Sequence, residues 1–413
     1  MGPTRAFLRI ALALAGAWTL HACLSSAPEP EGPPRWWRGN THTHTLWSDG
    51  DGAPQAVVEW YRDEGYDFLV LSDHNVLAEG ERWFPVAPDT RLTPERLDEL
   101  IALQPAGSVE WREGEAGLEM RLHTLVELRA RFERAGRFLL VTGEEVTSDF
   151  EGAPVHVNGV NTRTPIGAQA GGSVREVLSA ALRAIEAQGS RDEPTLAHLN
   201  HPNYQWGVSW EDLAAVPEER FFEVYNGHPA AADDGDAQHP STERIWDLLL
   251  ARRLTELGLG PVYGVATDDS HHYHERSPER SNAGRGWIVV RARELRAGAL
   301  VEALRRGDFY ASSGVQLADV GFDGSTYTVD VDARPGERLV TRFVGLRATA
   351  DGFGEPGELL LETDANPARY AFRGDEVYVR ALVTSDWPHR RPRADGELQR
   401  AWTQPVLGPG RRR

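Results

Sequence analysis

The chain of 413 residues contains no lysine, and all 44 of its basic residues are arginine. Schiff-base lysines, phosphate-loop lysines and carboxylated-lysine metal bridges are therefore excluded. Cysteine is almost as scarce: Cys23 stands alone, so no intramolecular disulfide can form. Positive charge is outweighed by 62 acidic residues, which leaves a formal net charge of −18 and a pI near 5.3. That balance argues against nucleic acid or an anionic membrane surface as a partner, because both attract basic faces. The apolar run Ile10 to Leu20 is too short for a stable membrane span.

Arg5 and Arg9 precede that run and Leu20-His21-Ala22-Cys23 follows it. This is the plan of a secretory signal peptide over residues 1–22, ending in a box that resembles those of bacterial lipoproteins. An extracytoplasmic protein is expected. A lipid on Cys23 would be its only membrane attachment, and simple cleavage would leave it periplasmic or secreted. Residues 23–35, rich in Pro, Ser and Glu, read as a flexible tether.

Beyond the tether, strand and helix signals alternate. A strand ends at His44, a helix opens at Pro54 and stops at Gly65, and the apolar strand Phe68 to Leu71 runs into Asp73 and His74. Glu79 to Glu115 reads as a long loop or lid with a short helix over Pro94 to Leu103. Leu118 to Ala135 reads as one helix, feeding a strand Phe138 to Thr142. A strand around His156, a helix Ser173 to Gln188 and a strand Thr195 to Leu199 follow. Next come the strand Phe221 to Tyr225, the helix Thr242 to Leu257 and the strands Val262 to Ala266 and Trp287 to Val290. Such alternation predicts a parallel sheet covered by helices, with a barrel favoured over an open sheet by the number of units. The barrel is expected over residues 36–314, and short alternating strands over 315–409 predict a small β-sandwich.

Six clusters of metal-ligand residues punctuate the first of these regions, most of them where an apolar strand gives way to a loop. His42 and His44 share one face of extended backbone, and the Ser48-Asp49-Gly50 turn can fold a carboxylate back over them. Asp73 or His74 can be a ligand, with Asp73 suited to holding a histidine's second nitrogen. Glu144 and Glu145 are adjacent, so only one can face inward, and spacing does not choose. His156 lies within an apolar strand. His201, in Asn200-His201-Pro202 at a strand end, suits a ligand better than His198 further back. Asp269 and His271 form an Asp-x-His pair. His123, His228 and His239 read as surface histidines, while His272 and His274 read as loop residues or substrate contacts. Arg276, Arg280 and Arg285, just beyond the pair, are candidates for a phosphate.

Taken in order, HTHTLWSDG, LSDHN, GEE and DDSH resemble the motifs of the PHP family, the polymerase and histidinol phosphatase superfamily of metal-dependent hydrolases. EVYNG, NHP, YVRA and WTQP are similar to its carbaryl-hydrolase-like branch. The resemblance implies a distorted (βα)7 TIM-like barrel and makes His42, His44, Asp49, His74, Glu145, His156, His201, Asp269 and His271 the expected ligands. It selects Glu145 over Glu144. Nine such donors suit two or three divalent ions, Mn, Zn or Fe, with a bridging hydroxide as the attacking group. Glu145, Asp269 and His201 are the expected catalytic residues: Glu145 bridges ions and Asp269 accepts a proton. The implied substrate is a small phosphoester. A carboxylic or carbamate ester is the alternative, and a metal-stabilised surface binding lipoprotein is the alternative outside enzymes.

Overall fold

The computed structural model describes Gly2 and residues 32 to 409. The signal segment and Cys23 lie outside the described residues. Pro33 to Arg413 form one compact unit.

The first half carries strands β1 (Arg35–Asn40), β2 (Phe68–Leu71), β3 (Trp83–Pro85), β4 (Trp111–Gly114), β5 (Gly117–Arg121), β6 (Leu139–Phe150) and β7 (Ala153–Val160). Helices α1 (Pro54–Asp63), α2 (Pro94–Leu103), α3 (Leu125–Phe132) and α4 (Val174–Glu186) are interleaved with them. Then follow β8 (Leu196–Leu199), α5 (Trp210–Ala215), β9 (Phe221–Asn226), α6 (Thr242–Thr255), β10 (Tyr263–Thr267), β11 (Trp287–Ala292), α7 (Ala297–Arg305) and β12 (Phe309–Ser312). The C-terminal part is all strand: β13 (Leu317–Phe322), β14 (Thr326–Val331), β15 (Leu339–Thr349), β16 (Gly352–Phe353), β17 (Glu358–Thr363), β18 (Ala368–Ala371), β19 (Glu376–Pro388), β20 (Leu398–Thr403) and β21 (Val406–Leu407).

Local chemistry accounts for the helices. Pro54 opens α1, Ser173 caps the Glu176 amide at the start of α4, and Ser241 caps the Arg244 amide of α6. Val177, Leu178, Ala181, Leu182 and Ile185 recur at helical spacing on α4 and are buried against β6, β7 and β8.

The result is a mixed α/β protein around one large sheet. Its hydrogen-bonded order is β10-β9-β8-β7-β6-β2-β1-β11-β12-β20-β19-β15-β16. The pairs β1–β2, β2–β6, β8–β9 and β9–β10 are parallel, but β7 is antiparallel to both neighbours and β11 is antiparallel to β1. The expected closed (βα)7 barrel is not seen: the sheet is open. The reason is local. Glu151 and Gly152, both at positive φ, turn β6 straight back as β7, so no helix crosses over there. The ends of β1 and β10 nevertheless meet beyond the strands, where the His44 amide donates to the Ser270 carbonyl and the Asp269 amide to the His42 carbonyl, each at 3.1 Å.

Two further readings change. Residues 118–135 are not one helix but β5 followed by α3, split by Thr124, whose hydroxyl and Glu127 form a capping box. The lid region is more ordered than a loop: α2 forms as expected, and β3, β5 and β4 make a separate three-stranded sheet. The main sheet also runs on through the expected boundary at 314, because β12 pairs with β20.

Candidate metal centre

Strand ends set the stage. At the end of β1 the buried Asn40 side chain accepts the His42 amide at 2.9 Å, fixing where the chain leaves the sheet. The following turn is tied down by Asp73, whose carboxylate accepts from the Thr45 amide, the Thr45 hydroxyl and the Ser48 hydroxyl at 2.7, 3.0 and 2.6 Å. Asp73 thus secures the loop carrying His44 and Asp49, rather than a histidine's second nitrogen. Gly50 is required at the tip, since a Cβ there would lie 2.6 Å from the His44 backbone. The lid region braces the same loop: Arg82 donates to the Trp47 carbonyl, and Trp47 to that of His123.

On β6, Glu145 and Glu144 point to opposite faces, as the pleat demands. Glu144 turns away and accepts the amides of Ile166 and Gly167. Glu145 turns inward and is fully buried. Its Oε2 lies 3.4 Å from His42 Nε2, 3.3 Å from His44 Nε2 and 2.8 Å from His74 Nδ1. Its Oε1 lies 3.1 Å from His156 Nδ1 and 3.5 Å from His201 Nε2. Asp269 faces it from the β10 side, with Oδ1 at 3.2 Å from His42 Nε2 and 3.3 Å from His44 Nε2. Asp49 joins His271 Nε2 at 3.2 Å and His74 Nε2 at 3.4 Å.

All nine expected ligands are therefore brought together. Four overlapping groups, His44-Asp49-His74-His271, His42-His201-Asp269, His42-His44-Glu145 and Glu145-His156-His201, each place their donor atoms within 4.8 Å of one another. His198 joins none of these groups among the described residues and sits fully buried beneath them.

The cluster has the chemistry of a cation site. His42 Nε2, His44 Nε2 and Glu145 Oε2 are buried and make no hydrogen bond among the described residues. Orphaned polar atoms of this kind are costly, and a divalent ion would satisfy all three at once. The far sides of the rings are already held. His42 Nδ1 donates to Glu223 Oε1 at 2.7 Å, His271 Nδ1 to the Asp269 carbonyl at 2.9 Å, and His44 Nδ1 lies 3.3 Å from the Ser48 hydroxyl. Each therefore presents Nε2 inward, the tautomer a metal ligand needs.

The backbone is bent to the same end. Asn75, His201 and Asp269 adopt left-handed φ of 52°, 23° and 46°, a clustering of strained conformations typical of functional sites. Electrostatically, burial disfavours charge on Glu145 and Asp269, yet the surrounding imidazoles hold both well below the carboxylate range. Burial likewise opposes protonation of His74, but Glu145 and Asp49 push its pKa up to about 11. Against burial, the carboxylates likewise raise the pKa of His42, His201 and His271, whereas burial lowers that of His156, and a cation entering must displace any proton its ligands hold.

Several participants were not singled out from sequence. Glu223, buried on β9, accepts from His42, the His201 amide, Asn226 and Thr267. A lone glutamate within the apolar run Phe221 to Tyr225 is the signal that could have found it, because a buried charge must be paired. Asn226 donates to both Glu223 and Asp269. His228 is no surface histidine: its ring packs 5.6 Å from that of His271. Its Nδ1 accepts the Ala230 amide, leaving Nε2 as the donor. Tyr204 packs edge-on against His201 at 5.1 Å. Two of the three candidate phosphate arginines are engaged elsewhere: Arg280 pairs with Glu275, and Arg285 is buried with its guanidinium on backbone carbonyls, while Arg276 is exposed.

No family model matches the chain, and no curated protein does. Among solved structures, the chain is similar to a two-domain protein from Bacteroides vulgatus containing a predicted PHP-like metal-dependent phosphoesterase. That match has 15% identity over 92% of this chain and 97% of the other, with a TM-score of 0.41. It is also similar to a proposed metal-dependent phosphoesterase from Bifidobacterium adolescentis, at 15% identity over 58% of this chain and 89% of the other, with a TM-score of 0.32. At these scores the likenesses carry no weight for function, which rests on the donor cluster.

Proposed function

We propose that the protein is a metal-dependent hydrolase of ester bonds, of the PHP type, acting first on phosphoesters. The observation that carries this is the convergence of three buried donor atoms, His42 Nε2, His44 Nε2 and Glu145 Oε2, that make no hydrogen bond among the described residues, inside a set of nine. A structural site needs about four ligands and leaves no open position, so nine donors around a shared glutamate speak for several ions and for catalysis. Two or three divalent ions, Mn, Zn or Fe, would be held by His42, His44, Asp49, His74, Glu145, His156, His201, Asp269 and His271. Bound there, they would supply Lewis acidity and a readily deprotonated water.

The chain's own groups do the rest. Glu145 spreads its two oxygens between the His42–His44 side and the His156–His201 side. Asp269, anchored through Oδ2 by Asn226 at 3.2 Å, is placed to take a proton as the ester breaks. His201, beside both carboxylates, helps set their charge. His228 offers its Nε2 hydrogen beside His271, and Tyr204 walls the His201 side.

A second reading, hydrolysis of a carboxylic or carbamate ester, is favoured by the fate of Arg280 and Arg285. With both engaged elsewhere, neither is free to clamp a charged phosphate, and an uncharged ester asks for no such clamp. The test is the chain loaded with Mn, Zn or Fe and offered matched aryl phosphate, phosphodiester, acetate and carbamate substrates. Metal content is measured alongside turnover. Metal uptake with turnover is expected, and H44A is expected to abolish turnover, a loss of at least about 100-fold. The preferred substrate chooses between the ester readings. Full metal occupancy without turnover on any ester would sink the enzyme and leave a metal-stabilised surface binding protein.

The reading includes a place outside the cytoplasm with Cys23 as the lipid anchor, supported by the segment Arg5 to Cys23. C23S is expected to move the protein from the membrane to the soluble fraction on cell fractionation; unchanged partitioning would refute the anchor.

A further inference from the structure

The loop between β19 and β20, His389 to Glu397, belongs to the C-terminal part of the chain, yet it lies against the segments that carry the donors. His389 Nε2 lies 2.9 Å from the Arg285 carbonyl, and Arg391 Nη1 donates to the Ala283 carbonyl at 2.7 Å. Arg393 goes deepest. Its Nη1 donates to the Asn226 carbonyl at 2.9 Å and to Asp233 Oδ2 at 2.6 Å, and that same Oδ2 accepts the Asn226 amide at 2.7 Å. The guanidinium lies 4.2 Å over the Tyr225 ring, and Tyr225 and Arg393 both end on Glu397. The backbone of Asn226 is thus gripped at its carbonyl by Arg393 and at its amide by Asp233.

What Asn226 does with its side chain makes this grip consequential. Its Nδ2 donates to Glu223 Oε2 at 2.7 Å and to Asp269 Oδ2 at 3.2 Å, and its Oδ1 accepts the His228 amide at 2.7 Å. Glu223 in turn holds His42. One carboxamide therefore sets the aim of Asp269, the partner of His42 and the start of the His228 turn. The approach is close throughout, since a Cβ on Gly227 would lie 2.6 Å from the Asp268 carbonyl oxygen.

We propose that Arg393 is a positioning residue for the metal centre: it fixes Asn226 so that Asp269 and Glu223 stay aimed, which makes the C-terminal strands part of the site. The inference rests on the metal reading above. Outer partners of ligands are worth roughly 10- to 100-fold in metal affinity when removed.

A neighbouring ion pair supplies the control. Arg380 and Asp247 also join the C-terminal strands to the first half, at 2.6 and 2.9 Å, with Arg380 more deeply buried than Arg393, but among the described residues they make no hydrogen bond or ion pair to the donors or their partners. The experiment titrates Zn into the full chain against a chelator of known affinity and records a thermal melt of each protein without metal. The double variant R393M/D233N is used so that no buried carboxylate is left unpaired, with R380M beside it. Expected are a 10- to 100-fold loss of Zn affinity in the double variant and, in R380M, a lowered melting temperature with Zn affinity within twofold of the wild type. Unchanged affinity in the double variant overturns the inference. So does an equal loss in R380M, which would mean general loosening. A wild-type chain that takes up no Zn overturns the metal reading itself and this inference with it.

Discussion

Glu219, just ahead of β9, is fully buried and is not one of the donors. Its Oε1 accepts the Phe221 amide at 2.9 Å, while Oε2 is buried without a hydrogen bond among the described residues. Burial pushes its pKa from 4.5 up to about 8, despite Arg253 nearby. The folded protein therefore keeps a proton that the unfolded chain releases above about pH 4.5, and stability contributed by the protonated form is full below that value and lost as pH rises through 8. Gln mimics the protonated carboxyl at every pH. E219Q is expected to match the wild type near pH 4 and to exceed it by about 2 kcal/mol or more at pH 8, at 1.36 kcal/mol per unit discounted for relaxation. Paired thermal melts across pH 4 to 8 check this, and a stability difference that does not grow with pH would refute it. At this same scale the six clusters were legible because His, Asp and Glu gathered where apolar strands give way to loops point to a site, while the resemblance supplied the set of nine and the choice of Glu145 over Glu144. Asn226 was given no role, since its hydrogen bond to Asp269 joins distant segments and no spacing records it; Asp73 was read as part of the site but with a different partner, and His228 as a surface residue, because its approach to His271 is likewise made only by the fold.

At the scale of elements, period carried most of the reading. The helices α1, α2, α4 and α6 and the strands β2, β8, β9 and β10 lie within a few residues of their expected positions, because their apolar residues recur at one clear period and end at Gly, Ser or Pro signals. The failures occur where period changes without a Gly or Pro to announce it. Leu118, Met120 and Leu122 alternate as a strand, whereas Leu125, Leu128 and Phe132 recur as a helix; read together they pass for one long helix. Thr124 and Glu127 mark the seam. In β6, Glu144 and Glu145 mimic a loop inside what is a strand of 12 residues, because both carboxylates face groups on segments outside the strand. The hairpin that follows is what makes His156 antiparallel to Glu145 and brings it within 3.1 Å. A crossover helix at that point would have carried His156 to a different strand order, so the departure from a regular barrel is part of how the site is assembled.

At the scale of the molecule, the composition shift near residue 315 marks a change of architecture, but the two regions are not independent in their packing. The β12 strand lies between β11 and β20, with Tyr310, Ala311 and Ser312 opposite Thr403, Trp402 and Ala401. One apolar core joins Phe222, Tyr225, Trp246 and Ala311 from the first half to Leu346, Val377, Tyr378 and Trp402 from the second. Trp402 is fully buried there and donates to Glu243 at 2.9 Å. Removing a buried tryptophan alone costs on the order of 3–5 kcal/mol, against a total stability of roughly 5–15 kcal/mol for a typical domain. Ending the chain at Gly314 would strip away Trp402, Tyr378 and the Arg393 loop together and would leave β12 as a bare, apolar edge open to pairing with other chains. The fragment from Pro33 to Gly314 holds all nine donors, yet it is expected to aggregate on size exclusion, to melt without a cooperative transition and to retain no metal after dialysis. A monomeric fragment with a sharp melt and wild-type metal content would show that the C-terminal strands are a separable appendage.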